Sequence, residues 1–418
     1  MKKLNQIAVT ILLFGLVAFQ AQAQAPYTSF YIFGDGVSTT TNNPEAGQYY
    51  YGMRDDNGRV WVEVLAQRLG MGANSITNPN WFNSSNNCSY YGQYSPNLVT
   101  NITHYHAPKD ASTALFAVWV CDADFVGDFG NIYLQGNGTN ASMWAKAVSQ
   151  SLTNHWLIIS NLYYAKGART IIMPNAVDIT EIPQYDTYPA SDRKFIRQMI
   201  INFNASFSAL LNQVQSSMTS KGPLTIYKPD IFSLLDNVLT NAGAYGLTNT
   251  LYQGASVDVL DNPTLSNKAL NGPGTNYIFW DAVDPSAKMH EVIADTVQQM
   301  IAPVQLNGVT VLSPSTAPVY TNQLVVANMP VGLNGFVEGT SNLLQGSWTT
   351  VTNINSISVT QSIFVNATPL PPITLPSGNG GSIFPGGGGP STSTGQTQTN
   401  NGEVQSYRLR FPFAWSWP

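Results

Sequence analysis

A short strand that ends in a tight turn constrains the fold of this chain more than any other segment. Residues 30–33 read Phe-Tyr-Ile-Phe, and aromatic and β-branched residues favour β-strands. Gly34, Asp35 and Gly36 follow at once, and glycines around an aspartate favour a sharp turn. Open α/β sheets place their ligand sites where such turns leave the carboxyl ends of strands. The segment therefore predicts an α/β protein with its site beside Gly36.

Apolar runs of strand length then alternate with helical patterns as far as residue 302. Later strands are predicted at residues 114–120, 169–173, 225–227 and 277–280. Helices are predicted at residues 59–69, 141–166, 192–218, 231–239 and 285–301, with Asp55 to Asn57 as N-cap candidates for the first and Pro285 in the first turn of the last. This alternation is typical of a parallel sheet between two layers of helices. We expect a three-layer α/β sandwich over residues 26–302.

The pattern changes after Pro303, where helix signals stop. Short strands are predicted at residues 309–312, 323–327, 335–338, 347–352 and 356–364. Residues 369–401 are rich in Pro, Gly, Ser and Thr, a composition typical of flexible segments. The alternating stretch 405–413 is expected to pair back with the earlier strands. Residues 303–418 are therefore predicted to form a small all-β, β-sandwich-like module.

Residues 1–23 have the pattern of a secretory signal peptide, with Lys2 and Lys3, an apolar run at 7–19, and a small-residue cleavage site ending at Ala23. The apolar run is shorter than the ~20 residues of a membrane-spanning helix, and no later segment reaches that length. We expect a secreted or periplasmic protein with no transmembrane segment. Without the two lysines the formal charge falls from −5 to −7, and no basic stripe remains, so a nucleic-acid partner is not expected.

Cysteine and motif content limits the cofactors. Cys88 and Cys121 are the only cysteines, and their pairing in an oxidising compartment is left open. The sequence contains no CxxC, HExxH or Walker-type motif. We therefore predict no cofactor and no dedicated metal site.

Four segments in the α/β part resemble, in order, the sequence blocks of the SGNH/GDSL hydrolases, a family of serine esterases and lipases. The first is Phe33-Gly34-Asp35-Gly36, where the family has Phe-Gly-Asp-Ser and Gly36 stands at the nucleophile position. Residues 57–63, Asn-Gly-Arg-Val-Trp-Val-Glu, also resemble the segment that follows in these proteins. The resemblance covers about two thirds of the chain. It implies a flavodoxin-like three-layer fold and an ester-hydrolase ancestry.

The other three blocks supply the remaining catalytic positions of the family. Gly92 matches the second-block glycine, whose N–H helps to form the oxyanion hole. Ala123, in residues 118–125, stands where the family has its oxyanion asparagine. In residues 279–285 Asp281 keeps the family aspartate, while Asp284 stands at the catalytic histidine. Three further residues are expected to support the site: Asp35, Ser38 and Asp124.

These substitutions predict that the inherited serine chemistry is lost. Acyl transfer needs a hydroxyl nucleophile, a base and oxyanion donors. Gly36 has no side chain, Ala123 has no donor, and an exposed Asp284 with a pKa of about 4 would be a poor base at neutral pH. The chain is therefore predicted to be a catalytically impaired relative that keeps a cleft for an ester or glycan ligand.

Two enzymatic alternatives stay open beside this prediction. Ser38 or Cys121 could replace the missing nucleophile. A cluster of carboxylates could hold a metal-bound water: Asp35, Asp122, Asp124, Asp128, Asp281 and Asp284. The same carboxylates could instead raise one another's pKa or pair with Arg54 or Arg59.

Other segments favour binding roles. Loops at residues 49–51, 81–82 and 90–94 are rich in aromatic residues, which bind flat ligands such as sugars, or pack onto the sheet. His104 and His106 are expected to lie on one face of an extended segment, as a surface pair. A further alternative makes residues 303–418 the working part, as an adhesion or carbohydrate-binding module.

Overall fold

The computed structural model describes residues 27–40, 47–71, 86–312, 320–340, 347–367, 397–400 and 403–411. The predicted signal peptide and the aromatic pair at 81–82 lie outside these residues. The chain divides into two compact units, one of residues between 27 and 303 together with Phe411, and one of residues between 304 and 410. In the described residues no helix is long and apolar enough to cross a membrane.

A parallel four-stranded sheet forms the centre of the first unit. Its strands are β1 (Phe30–Gly34), β2 (Leu115–Trp119), β3 (Thr170–Ile172) and β4 (Thr225–Tyr227), paired in the order β1-β2-β3-β4. β1 and β2 are buried at every position, as expected for parallel strands covered on both faces. The strand predicted at 277–280 is wrong, because Tyr277 and Phe279 form only isolated bridges there. A short hairpin, β5 (Leu251–Tyr252) with β6 (Ala255–Ser256), lies outside this sheet.

Helices cover both faces of the parallel sheet. They are α1 (Trp61–Arg68), α2 (Ser95–His104), α3 (Cys121–Asp128), α4 (Ala141–Ser160), α5 (Ala190–Ser217), α6 (Ile231–Asn241) and α7 (Ala287–Ile301). On one face Phe33 of β1 contacts Tyr105, which follows α2, with ring centroids 5.1 Å apart. On the other face Trp119 of β2 contacts Trp61 of α1 at 5.6 Å. The predicted three-layer α/β sandwich is confirmed.

Several helix ends differ from the predictions. Val60, rather than a residue among Asp55 to Asn57, is the N-cap of α1, and Asp56 instead accepts a hydrogen bond from the Gly58 N–H at 2.8 Å. The Ser286 hydroxyl caps α7, so Pro285 precedes the helix. α2 occupies a stretch for which no helix was predicted. His104 is its last residue, so the segment from His104 to His106 is not fully extended as predicted, although both histidines are exposed. Polar residues near a helix end can cap the helix or bond to other groups, and here the tertiary packing determined which of these roles each residue has.

The second unit consists of two antiparallel sheets. The strands are β7 (Gln305–Leu312), β8 (Tyr320–Ala327), β9 (Asn334–Thr340), β10 (Thr349–Asn355), β11 (Thr360–Ala367), β12 (Thr397–Asn400) and β13 (Glu403–Arg410), in the orders β10-β9-β13-β12 and β11-β8-β7. β13 pairs with β9, as predicted for the returning segment. β12 lies inside the segment 369–401, which was predicted to lack structure. Its residues form a strand because they pair with β13. The Asn322 side chain links the two sheets by donating to the Tyr407 hydroxyl at 2.5 Å.

Candidate active site

A pocket of about 200 Å³ opens where β1 and β2 end, and we call it the Gly36 pocket. Four positions that the sequence assigned to catalysis line it together: Gly36, Gly92, Ala123 and Asp284. Asp35 and Asp122 add two further carboxyl groups. Most of the remaining wall is apolar and includes Val126, Val177, Ile179, Ile182, Ile231 and Leu235. The fold therefore brings together the site that the resemblance implied.

Gly36 lies where two carboxyl groups and an aromatic ring meet. A Cβ placed on Gly36 would lie 3.3 Å from Asp55 Oδ2, 3.4 Å from the Tyr91 ring and 3.7 Å from Asp284 Oδ1. A side chain at this position would thus reach Asp284 directly, as a nucleophile reaches its base. The glycine supplies no such group, so position 36 brings no side-chain nucleophile to this pocket.

The two predicted oxyanion positions, Gly92 and Ala123, lie in the same pocket wall. Gly92 has a φ of +73°, a conformation that favours glycine. Ala123 lies in the first turn of α3, and its backbone N–H contributes a hydrogen bond to Asp35. The alanine side chain offers no donor, so only backbone groups can serve a developing oxyanion here.

Asp281 has a structural role in the turn before α7. Its Oδ1 accepts hydrogen bonds from the backbone N–H groups of Val283 at 2.9 Å and Asp284 at 2.8 Å. Its Oδ2 accepts one from the Tyr50 hydroxyl at 3.0 Å. Because the carboxylate is engaged by the turn, it holds Asp284 in place through the backbone.

The carboxyl group of Asp284 is buried in the pocket wall, and the residue is 5% exposed. Burial raises its pKa well above the usual range, and the neighbouring charges of Asp281, Asp55, Asp35 and Asp56 raise it further. The prediction of an exposed Asp284 carboxylate with an ordinary pKa is wrong. The raised pKa favours the protonated form of Asp284, which is a hydrogen-bond donor and a poor base.

The other two carboxyl groups of the pocket are perturbed in the same direction. Burial raises the pKa of Asp35 to about 7, although its Oδ1 accepts a hydrogen bond from the Val37 N–H at 3.2 Å. Burial and the charge of Asp35 raise the pKa of Asp122 well above its usual value. The lining residues in the described part of the chain include no lysine, arginine or histidine. In the absence of a basic neighbour, the raised pKa values of these carboxyl groups favour their protonated forms.

The two replacement nucleophiles are held in structural contacts. Ser38 is fully buried, and its hydroxyl accepts a hydrogen bond from the Trp61 indole N–H at 3.0 Å. Cys121 is buried under Pro174, with Sγ 3.6 Å from the Pro174 carbonyl, and burial raises the pKa of its thiol well above the usual value. Neither residue lines the pocket. Cys88 and Cys121 are free thiols.

Charged side chains next to the pocket pair with one another. Arg54 and Glu63 form a buried bidentate pair with N–O distances of 2.7 and 2.6 Å, so Arg54 does not neutralise the pocket as the open alternative allowed. His290 accepts the Trp61 backbone N–H on Nδ1 at 3.2 Å, which places its proton on Nε2, 2.9 Å from Asp56 Oδ2. Both ring nitrogens are used, so His290 is not available as a base. Arg59 donates to the Gln67 amide at 2.7 Å.

Asp124 belongs to a second polar cluster behind the pocket. Its Oδ1 accepts the Ser95 N–H at 2.8 Å, and its Oδ2 accepts the Ser151 hydroxyl. His155 Nδ1 bonds to the Ser151 backbone carbonyl at 2.8 Å, which requires the proton on Nδ1. The imidazole therefore cannot take the proton of the Ser151 hydroxyl, and this Ser–His–Asp set is a structural cluster.

No group of three or more His, Cys, Asp or Glu side chains is arranged to hold a metal ion, as far as the chain is described. Of the aromatic loops, Tyr91 and Tyr94 line the pocket, and Tyr91 is 53% exposed. The apolar wall of the pocket was not predicted from the sequence, and Asp55 was predicted to be a helix cap. No pattern in the local sequence distinguishes Asp55 or the wall residues, since the fold brings them together from distant segments.

Comparison with known proteins identifies the family of this chain. The chain matches the GDSL-like lipase/acylhydrolase family over residues 30–297, more than half of its length. The chain belongs to this family. A GDSL esterase/lipase of Arabidopsis thaliana is 21% identical over 346 residues, which cover 70% of this chain and 93% of the relative.

Solved structures of lipases are also similar to this GDSL-family chain. The lipase Lip_vut3 from a goat rumen metagenome is 12% identical with a TM-score of 0.36, covering 65% of this chain and 97% of that one. An extracellular lipase from Streptomyces rimosus is 10% identical with a TM-score of 0.35, covering 65% and 99%.

Proposed function

We propose that this GDSL-family protein binds acyl esters in the Gly36 pocket and is catalytically impaired in the family's serine chemistry. One observation carries the proposal: the nucleophile, base and oxyanion positions converge on one pocket at Gly36, Asp284 and Ala123, and none has the required group. The apolar wall beside them is suited to an acyl chain. This wall favours an ester over a glycan as the ligand.

Residual ester hydrolysis by the wild-type protein should be slow. The raised pKa of Asp284 favours its protonated form, which cannot accept a proton from water or a hydroxyl. In subtilisin, removing the catalytic triad leaves a rate ~10³–10⁴ above water, which comes from the oxyanion hole and from substrate binding. Here the side-chain oxyanion donor is missing as well, because Ala123 stands at its position. We therefore expect a residual rate below that of the subtilisin variants.

The decisive experiment is hydrolysis of p-nitrophenyl butyrate by the purified chain, with a chelator-treated sample alongside. The wild type is expected to match a heat-denatured control, while the triple variant Gly36→Ser, Ala123→Asn, Asp284→His gains turnover. Ser fits at Gly36 after shifts of a few tenths of an ångström by Asp55 and Tyr91. Wild-type turnover comparable to that of the triple variant would overturn the proposal, and its loss with chelator would indicate metal-bound water.

We also propose that residues 1–23 are a signal peptide that is removed on export. The basic start, the apolar run and the Ala21-Gln22-Ala23 site support this proposal. N-terminal sequencing of the protein recovered outside the cytoplasm tests it, with a first residue shortly after Ala23 as the expected result. An intact Met1 would contradict it.

A further inference from the structure

The Gly36 pocket combines three buried carboxyl groups with an apolar wall, and its ligand has to suit both. Asp35, Asp122 and Asp284 are 5%, 7% and 5% exposed. Among the described residues, no hydrogen bond reaches the Asp284 carboxyl, although it lines the pocket. A nearly buried polar group directed into a cavity indicates that a ligand supplies its partner.

The sign of the charge limits which ligands fit. The pocket lining has acidic groups and no basic ones in the described residues. A carboxylate or phosphate ligand would be repelled by any ionised aspartate there. A cation would be attracted, and it could replace the protons that neutralise these carboxyl groups.

Aromatic rings lie at the same place as the carboxyl groups. The Tyr91 ring lies 3.4 Å from the Cβ position of Gly36, beside Asp284 Oδ1 at 3.7 Å and Asp55 Oδ2 at 3.3 Å. Tyr94 and Trp119 also line the pocket. Faces of aromatic rings attract alkylammonium groups, and aromatic cages are a known means of binding quaternary ammonium ligands.

We propose that the Gly36 pocket binds esters of cationic amino alcohols, with the ammonium group between Asp284 and Tyr91 and the acyl chain along the wall of Val126, Ile182 and Leu235. This inference rests on the proposed function, because it names the class of ester that the pocket takes.

Several titratable groups face the ammonium position. They come from the β1 turn, the loop before α1, helix α3 and the loop before α7: Asp35, Asp55, Asp122, Asp281 and Asp284. A bound cation favours their ionised forms, so binding should release protons and tighten as the pH rises through the pKa of Asp35, about 7. A single group with this pKa gives about a tenfold gain in affinity from pH 6 to pH 8.

The test compares two ligands that differ only in charge, by isothermal titration calorimetry on the full chain. Butyrylcholine carries the cation, and 3,3-dimethylbutyl butyrate replaces its nitrogen by carbon. We expect butyrylcholine to bind at least tenfold more tightly at pH 8. Its binding should release protons, seen as a heat that depends on the ionisation enthalpy of the buffer, and the neutral ester should release none.

Variants assign the effect to the pocket. Asp284→Asn and Tyr91→Leu should each weaken butyrylcholine binding about tenfold and leave the neutral ester unchanged. Asp261→Asn removes an exposed carboxylate outside the pocket and should change neither ligand. Equal binding of the two esters would overturn this inference and leave the proposed function standing. Binding of neither ester would overturn the proposed function as well.

Discussion

Asp55 and Asp56 are neighbours in the chain, but they belong to two different electrostatic regions. Asp55 Oδ2 faces Gly36 at the acidic pocket, where burial raises the pKa values of Asp35, Asp122 and Asp284. Asp56 points the other way and bonds to His290, next to the buried Arg54–Glu63 pair. We call this second region the paired cluster.

The two regions differ in the partners of their buried carboxyl groups. Those of the paired cluster have basic partners within the protein, whereas those of the Gly36 pocket face a cavity that we propose binds a ligand. In the paired cluster Arg54 donates two hydrogen bonds to Glu63, and His290 Nε2 lies 2.9 Å from Asp56 Oδ2, so each buried acid has a basic group beside it that offsets the cost of burial. In the Gly36 pocket the pKa values of the carboxyl groups are raised, and no cation lies beside them among the described lining residues. Perturbed carboxyl groups of this kind are typical of functional sites.

The largest expected effect comes from breaking the Arg54–Glu63 pair. Arg54→Met leaves Glu63 buried without its counter-charge, and we expect the free energy of unfolding to fall by about 3–5 kcal/mol. Urea denaturation measures this change. Lys288→Ala is the matched control, since Lys288 and Glu291 form an exposed pair worth less than about 1 kcal/mol. Similar losses in both variants would contradict the distinction between buried and exposed pairs.

In the pocket, removing a charge should have the opposite sign. The native pKa of Asp35 is about 7, above the value near 4 of an unfolded chain, so the native state binds more protons between these pH values. Its contribution to stability is thus full below pH 4 and is lost as the pH rises to 7.

Asp35→Asn should therefore stabilise the protein by about 2–4 kcal/mol at pH 8, with little effect at pH 4. The asparagine Oδ1 can still accept the Val37 N–H. Unfolding curves at the two pH values provide the measurement. A variant that is less stable than the wild type at pH 8 would show that Asp35 is ionised and paired.

His290 tests whether the paired cluster takes part in chemistry. His290→Leu removes the partners of Asp56 and of the Trp61 N–H, and we expect a loss of about 1–3 kcal/mol in the free energy of unfolding. The affinity for butyrylcholine should stay within twofold, because the ring does not line the pocket. A large loss of ligand affinity in a folded variant would place His290 in the site.

Ser38 gives the smallest expected effect. Ser38→Ala removes the acceptor of the Trp61 indole N–H, for an expected loss of about 1 kcal/mol in unfolding free energy. Any ester turnover that the wild type shows should persist unchanged in this variant. Its disappearance would identify Ser38 as a nucleophile.

Local sequence was sufficient for the parts of the fold that repeat a pattern. The runs at 30–33, 114–120, 169–173 and 225–227 became the four parallel strands. The first two are unbroken apolar segments, which need burial on both faces. The apparent strand at 277–280 failed because its residues bridge to a loop instead of joining the sheet. Capping by Asp55 to Asn57 failed because Asp56 has His290 as a partner from a distant helix.

The sequence by itself determined the family, the order of the strands and helices along the chain, and the loss of side-chain function at Gly36 and Ala123, since these follow from residue identity. Only the tertiary structure decided the raised pKa of Asp284, the burial of Ser38 and Cys121, and the composition of the pocket wall. A pKa depends on burial and on charges brought from distant segments, here from Asp35, Asp55 and Asp281. Such terms exist only after the chain has folded.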